Sequence, residues 1–233
     1  MTVRRRSDRL TVRLLRCGVA AGPVFVSTFL VAGAARAGYD ALRHPVSGLA
    51  LGPGGWVQVA NFLLAGALCG AAGAGLARAR VPGRSLAAAV LVDVVGVGLL
   101  GSGAFPTDPV SGYPPGTPDL LAGHSSTGPL LHDLFGVAVF LGLPAAALAH
   151  GWAFRRAGEH RWAVGSAASG LAMIPLFVLT GAAFAQTPAL VAIGGLLQRV
   201  TITIGLGWLT AVSIRALRAA PSAPVPVHRT DRR

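Results

Sequence analysis

The chain has 233 residues, of which 53% are hydrophobic and only 12% charged. A soluble domain carries about 25% charged residues, so the composition excludes an ordinary soluble fold and points to a membrane protein. The formal charge of +12 comes from 20 basic residues, all Arg; they sit at the ends of apolar runs rather than on an amphipathic helix or an aromatic-bearing sheet, which argues against nucleic acid as a partner.

Residues 1–13 form a basic tail, expected to be disordered or to lie on anionic headgroups. Six apolar runs follow: Cys17 to Ala35, Val57 to Ala77, Ser85 to Phe105, Leu134 to Phe154, Trp162 to Ala185 and Leu190 to Ile214. Each is about the 20 residues that a helix needs to cross a roughly 30 Å hydrocarbon core. The reading is therefore an all-α, polytopic bundle of six transmembrane helices over residues 14–214. The Pro- and Arg-rich segment 215–233 reads as a disordered tail. The first run ends in Ala35-Arg36-Ala37, which resembles a signal-peptide cleavage site. Its uncharged stretch is longer than the usual apolar region of such a peptide, so the first helix is expected to be retained.

The connections alternate in charge. Seventeen Arg lie in the N-terminal segment, around the second and fourth connections and in the C-terminal segment; the other side carries only Arg36 and Arg43. Basic flanks stay in the cytoplasm, so both termini are expected inside, in the cell membrane. The first and third connections are long and extracytoplasmic, and long loops tend to display function.

Inside the second run, Gly66, Gly70 and Ala74 recur at four-residue spacing. Such a stripe lets another helix approach closely, within the bundle or in a homodimer. Cys17 and Cys69 lie in apolar runs and read as small packing residues. Asp93 and Arg199 are the two charges well inside apolar runs. Counted from the outer ends of their runs at about 1.5 Å per residue, they fall at similar depths, so a buried Asp93–Arg199 ion pair is expected.

The extracytoplasmic side gathers Asp40, His44 and Ser47 after the first helix, Asp108 after the third, Asp119, His124 and Ser125 in the third connection, and His132 with Asp133 opening the fourth helix. His44, His132 and Asp108 are weak candidates for a metal, because no two His have the three- or four-residue spacing that puts ligands on one helix face. A Ser/His/Asp arrangement from Ser47 or Ser125 with His132 and Asp108 lacks a Gly-x-Ser-x-Gly elbow. Nothing in these spacings calls for a cofactor.

Tyr39-Asp40 followed by His44-Pro45-Val46-Ser47-Gly48-Leu49, then Gly103-Ala104-Phe105-Pro106-Thr107-Asp108, His132 and Gln198-Arg199 resemble the bacterial and archaeal multi-pass family catalogued as domain of unknown function 998. The resemblance spans nearly everything between the tails. It implies a six-helix integral membrane protein and brings no agreed activity. The stretch from Tyr113 to Thr127 is longer and richer in Pro and Gly than the family pattern, which sets His124 and Asp119 behind the rest. The leading site candidates are therefore Ser47, Asp108, His132 and Arg199, with His44, Asp40, Asp133 and Gln198 second.

The leading functional reading is a non-enzymatic protein holding a small polar or lipid-headgroup ligand in an outward pocket, with transport or sensing of that ligand left open. Arg199 would be an anion partner at its floor. A membrane-embedded hydrolase using Asp108 and His132 is the first alternative, and a structural or partner-binding subunit the second.

Overall fold

The computed structural model describes residues 2–219. Among them are six helices long and apolar enough to cross a membrane, and no strands. They are α1 (Thr2–Ala34), α2 (Trp56–Arg78), α3 (Leu86–Ala104), α4 (Thr127–Arg156), α5 (His160–Phe184) and α6 (Gly194–Ala219), with short 3-10 turns at Val46–Ala50 and Val191–Ile193. The chain is thus a multi-pass membrane protein whose six spans match the apolar runs.

Three boundaries differ from the sequence expectation, each for a local reason. First, α1 starts at Thr2, so the basic segment forms its opening turns instead of a disordered tail. Second, α4 starts at Thr127, seven residues before its apolar run. Pro129 falls in the first turn, where its missing N–H costs nothing, and His132 and Asp133 are carried inside the helix instead of opening it. Third, α6 starts at Gly194, behind the 3-10 turn, and runs on to Ala219. Residues 220–233 of the expected C-terminal tail lie outside the described residues.

The helices pack in chain order as a ring, each against the next, and α6 closes it against α1. Small residues set the spacing, as expected where lipid supplies no hydrophobic drive and packing must come from close backbone approach. A Cβ on Gly96 would lie 2.8 Å from the Gly70 nitrogen, and one on Gly66 would lie 2.8 Å from the Gly96 carbonyl. Gly66 and Gly70 therefore serve the α2–α3 contact inside one chain. At the α3–α4 contact the Phe135 ring fills the space a Gly101 side chain would need. Phe135 also stacks on Phe105, centroids 5.7 Å apart.

The two ends of the bundle differ. One carries the short connections after α2 and α4. There Arg215 of α6 is buried, pairs with Glu159 at 3.1 Å and lies over the Phe154 ring, 4.6 Å from its centroid. Beside it the Trp208 indole donates to Ser166 at 3.1 Å. The other end carries the long connections 35–55 and 105–126, and the candidate residues gather there. Trp56 and Trp152 stand exposed at opposite ends, the placement that interfacial aromatic belts take.

Candidate functional site

The candidate residues fall into three groups at the long-loop end: a clamp on Arg199, a cavity between the helices, and an acidic cluster at the surface.

The clamp is built on the start of α6. The first N–H groups of a helix have no partner within it; here Gly195 and Leu196 donate to the carbonyls of Arg43 and Leu42, at 3.1 and 2.9 Å. Arg199, 7% exposed, then reaches back to the same loop. Its Nη1 donates to the carbonyls of Ala41 (2.6 Å), His44 (3.0 Å) and Gly195 (2.8 Å), and its Nη2 to the Tyr39 hydroxyl. Tyr39 in turn donates to the Pro45 carbonyl at 2.9 Å. Burial pushes the Tyr39 hydroxyl above its ordinary pKa, against the pull of Arg199. His44 accepts the Asp40 N–H at Nδ1 (2.8 Å), and burial lowers its pKa. The Asp40 carboxylate caps the turn by accepting the Leu42 N–H at 2.8 Å.

The third connection lies on top of this loop. Tyr113 is buried against Tyr39 and His44, centroids 5.0 and 5.1 Å away, and Arg43 donates to the Ser111 carbonyl and pairs with Asp119 at 2.7 Å.

The expected Asp93–Arg199 ion pair does not form. The Arg199 guanidinium hydrogen-bonds to the loop and the helix start, and lies over the Phe29 ring of α1, 5.7 Å from its centroid. Asp93 instead rests against Gly73 on the α2–α3 face. The reason is depth: because α6 begins at Gly194, Arg199 is only about 7 Å from the helix start, whereas Asp93 is about 16 Å from the end of α3 at 1.5 Å per residue. Both Nη groups of the planar fork are taken up by loop and helix-start carbonyls and the Tyr39 hydroxyl, with Nε left without a partner, a divided contact that a point charge would not make.

The cavity, about 310 Å³, lies between the helices beneath the loops. That is the low end of the size range of ligand sites. Its wall is mostly apolar and aromatic: Phe25, Phe62, Phe140, Phe177, Phe184 and Ile202. Phe140 of α4 and Phe177 of α5 stack across it, with centroids 5.2 Å apart and planes within 3°. Gly136 of α4 and Gly181 of α5 also line it, and each has open space where a Cβ would project.

The polar groups on the wall are few. Ser47, Ser102, Thr107 and Thr180 supply hydroxyls, those of Thr107 and Thr180 donating to the carbonyls of Asp108 and Leu176. Gln198 gives its Oε1 to the Val46 N–H at 2.7 Å, leaving its amide nitrogen as a donor. His132, 5% exposed, holds Nδ1 at 3.1 Å from the Phe105 carbonyl. A carbonyl only accepts, so Nδ1 carries the proton and Nε2 of the neutral ring is an acceptor. Asp133 is the one charged residue on the wall.

The acidic cluster sits at the edge of this cavity. Asp108 accepts from the Ser125 hydroxyl and, at 3.0 Å, from the Ser125 N–H. The His124 ring lies between two carboxylates, with Nδ1 3.6 Å from Asp108 and Nε2 3.8 Å from Asp133.

The leading candidates therefore separate. Ser47 and His132, with Gln198 and Asp133, line the cavity; Asp108 belongs to the surface cluster; Arg199, His44 and Asp40 belong to the clamp. No Ser/His/Asp relay forms, because Ser125 donates to the carboxylate and His132 to a backbone carbonyl. Among the described residues no group of three His, Cys, Asp or Glu is arranged to hold a metal ion.

Two buried amides escape the sequence reading. Asn61 of α2 donates to the Phe25 carbonyl at 3.1 Å and to Gln58 at 3.3 Å, fastening α2 to α1. Their i, i+3 spacing at the start of an apolar run was the available signal.

A ring of six membrane-spanning helices around a largely apolar cavity, under two packed loops, defines a multi-pass integral membrane protein. The family model described as "Protein of unknown function (DUF998)" matches residues 19–215. The chain belongs to that family. No curated protein and no solved structure matches it.

Proposed function

We propose that this protein binds a small membrane amphiphile in the cavity between its helices, without transforming it. One observation carries the reading: a cavity of about 310 Å³ walled mostly by aromatic and aliphatic side chains has its hydrogen-bonding groups, from Ser47, Ser102, Thr107, His132, Asp133, Thr180 and Gln198, toward the long-loop end of the bundle. Such a wall suits an apolar body with a single polar head. The anion role first given to Arg199 is dropped, because its guanidinium is spent on loop carbonyls. The Arg distribution supports an orientation with both termini in the cytoplasm, so the cavity lies toward the extracytoplasmic side.

The test is the identity of what co-purifies. Wild type and Gly181→Leu, whose side chain would occupy open space at the wall, are purified in mild detergent and their bound small molecules analysed by mass spectrometry. An amphiphile present with the wild type and lost in the variant supports the reading. The same bound species at the same occupancy in both would overturn it.

A further inference from the structure

We infer that the cavity selects a cationic amphiphile, an apolar body carrying one ammonium or comparable charged nitrogen, with Asp133 as its counter-ion. This rests on the amphiphile-binding reading above and adds the sign of the head group.

The charged side chain that faces the cavity is acidic. No Arg lines the cavity, and Asp133 is the single ionisable carboxyl on its wall. Asp133 stands at the rim with its side chain 62% exposed, and an anionic head there would meet a carboxylate and no compensating cation on the wall.

The neighbours keep that sign. His124 is shared between Asp108 and Asp133, at 3.6 and 3.8 Å. One imidazole between two carboxylates leaves the cluster negative whichever protonation state it takes. The next cation, Arg43, is paired with Asp119 at 2.7 Å. Arg199 is fixed to the carbonyls of Ala41, His44 and Gly195.

The uncharged part of the wall favours the same head. His132 presents Nε2 as an acceptor, which suits an N–H donor. Phe62, in a T-shaped contact with His132 at 6.0 Å, and the stacked Phe140–Phe177 pair place aromatic rings on the wall, the residue type that attracts ammonium ions. The volume sets the body: at about 30 Å³ per water-sized group, the cavity takes on the order of ten such groups, a chain near decyl in length.

The test is a matched series on the purified full chain in lipid nanodiscs: decylammonium, decanol and decanoate, each displacing a neutral fluorescent alkyl probe. Comparing wild type with Asp133→Asn cancels the partitioning of each compound into lipid. The expected result is at least tenfold tighter binding of the ammonium than of decanol, decanoate weakest, and loss of that tenfold in Asp133→Asn with decanol unchanged. Asp133→Glu should keep the preference. Decanol binding with no preference for the cation, or an equal change for all three compounds in Asp133→Asn, would overturn the charge assignment and leave the amphiphile reading standing. No displacement by any of the three from folded protein would overturn both.

Discussion

Replacing Arg199 by Met keeps the length and apolar stem of the side chain and removes only the guanidinium. The Gly195 carbonyl belongs to the first turn of α6 and keeps an intrahelical acceptor role, and the Tyr39 hydroxyl keeps Pro45. The carbonyl of the exposed Ala41 loses its side-chain donor but keeps access to solvent, and the buried His44 carbonyl is left with a long contact to Tyr39 at 3.3 Å. A buried polar group left unpaired costs about 1–3 kcal/mol. One solvent-accessible and one partial orphan cost about 1–3 kcal/mol, and no longer burying an Arg Nε that has no partner returns part of it, which leaves a net loss of about 1–2 kcal/mol. Arg199→Lys should recover only part, because one ammonium cannot copy a planar fork. The assay is reversible unfolding in mixed micelles, followed by circular dichroism. A loss below about 0.5 kcal/mol, within the range of an ordinary surface substitution, would refute the clamp.

Gly195→Ala should destabilise as much or more, since its Cβ would collide with the carbonyl of His44 and lie 2.8 Å from that of Ala41, backbone atoms that cannot swing aside; thermal unfolding would show it. Stability should fall as pH drops below about 6.5, the ordinary His value. The folded His44 resists protonation because it is buried, while the unfolded chain takes the proton freely, so acid favours unfolding; His44→Gln should shrink the difference between pH 7.5 and pH 5. In a variant freed of Cys17 and Cys69, a Cys at Leu120 should react with an impermeant maleimide on intact cells and a Cys at Arg80 should not. The reverse pattern would invert the proposed orientation.

The six spans were legible because lipid imposes a length and an apolarity that few other contexts demand. The residues of the first loop were legible as a group, since Tyr39, His44 and Ser47 do gather with Gln198 and Arg199. Their division of labour was not. Charge alone pointed Arg199 toward Asp93, but a helix start moved by four residues, from Leu190 to Gly194, changes depth by about 6 Å, enough to hand the guanidinium to the loop. The cavity was invisible in the sequence because its wall is drawn from every helix, and Phe140 and Phe177 meet across α4 and α5 with no local signal. His124, set aside because its loop looked irregular, lies between Asp108 and Asp133, a proximity that only tertiary packing creates.

Photoaffinity mapping tests the central claim most directly. A decyl probe with a terminal diazirine is photolysed with the purified protein, and the labelled residues are read by peptide sequencing. The account predicts labelling at Phe140, Phe177 or Ile202, abolished in Gly181→Leu. Labelling confined to the outward faces, at Leu171, Ile174 and Val178, and unchanged in that variant, would contradict it.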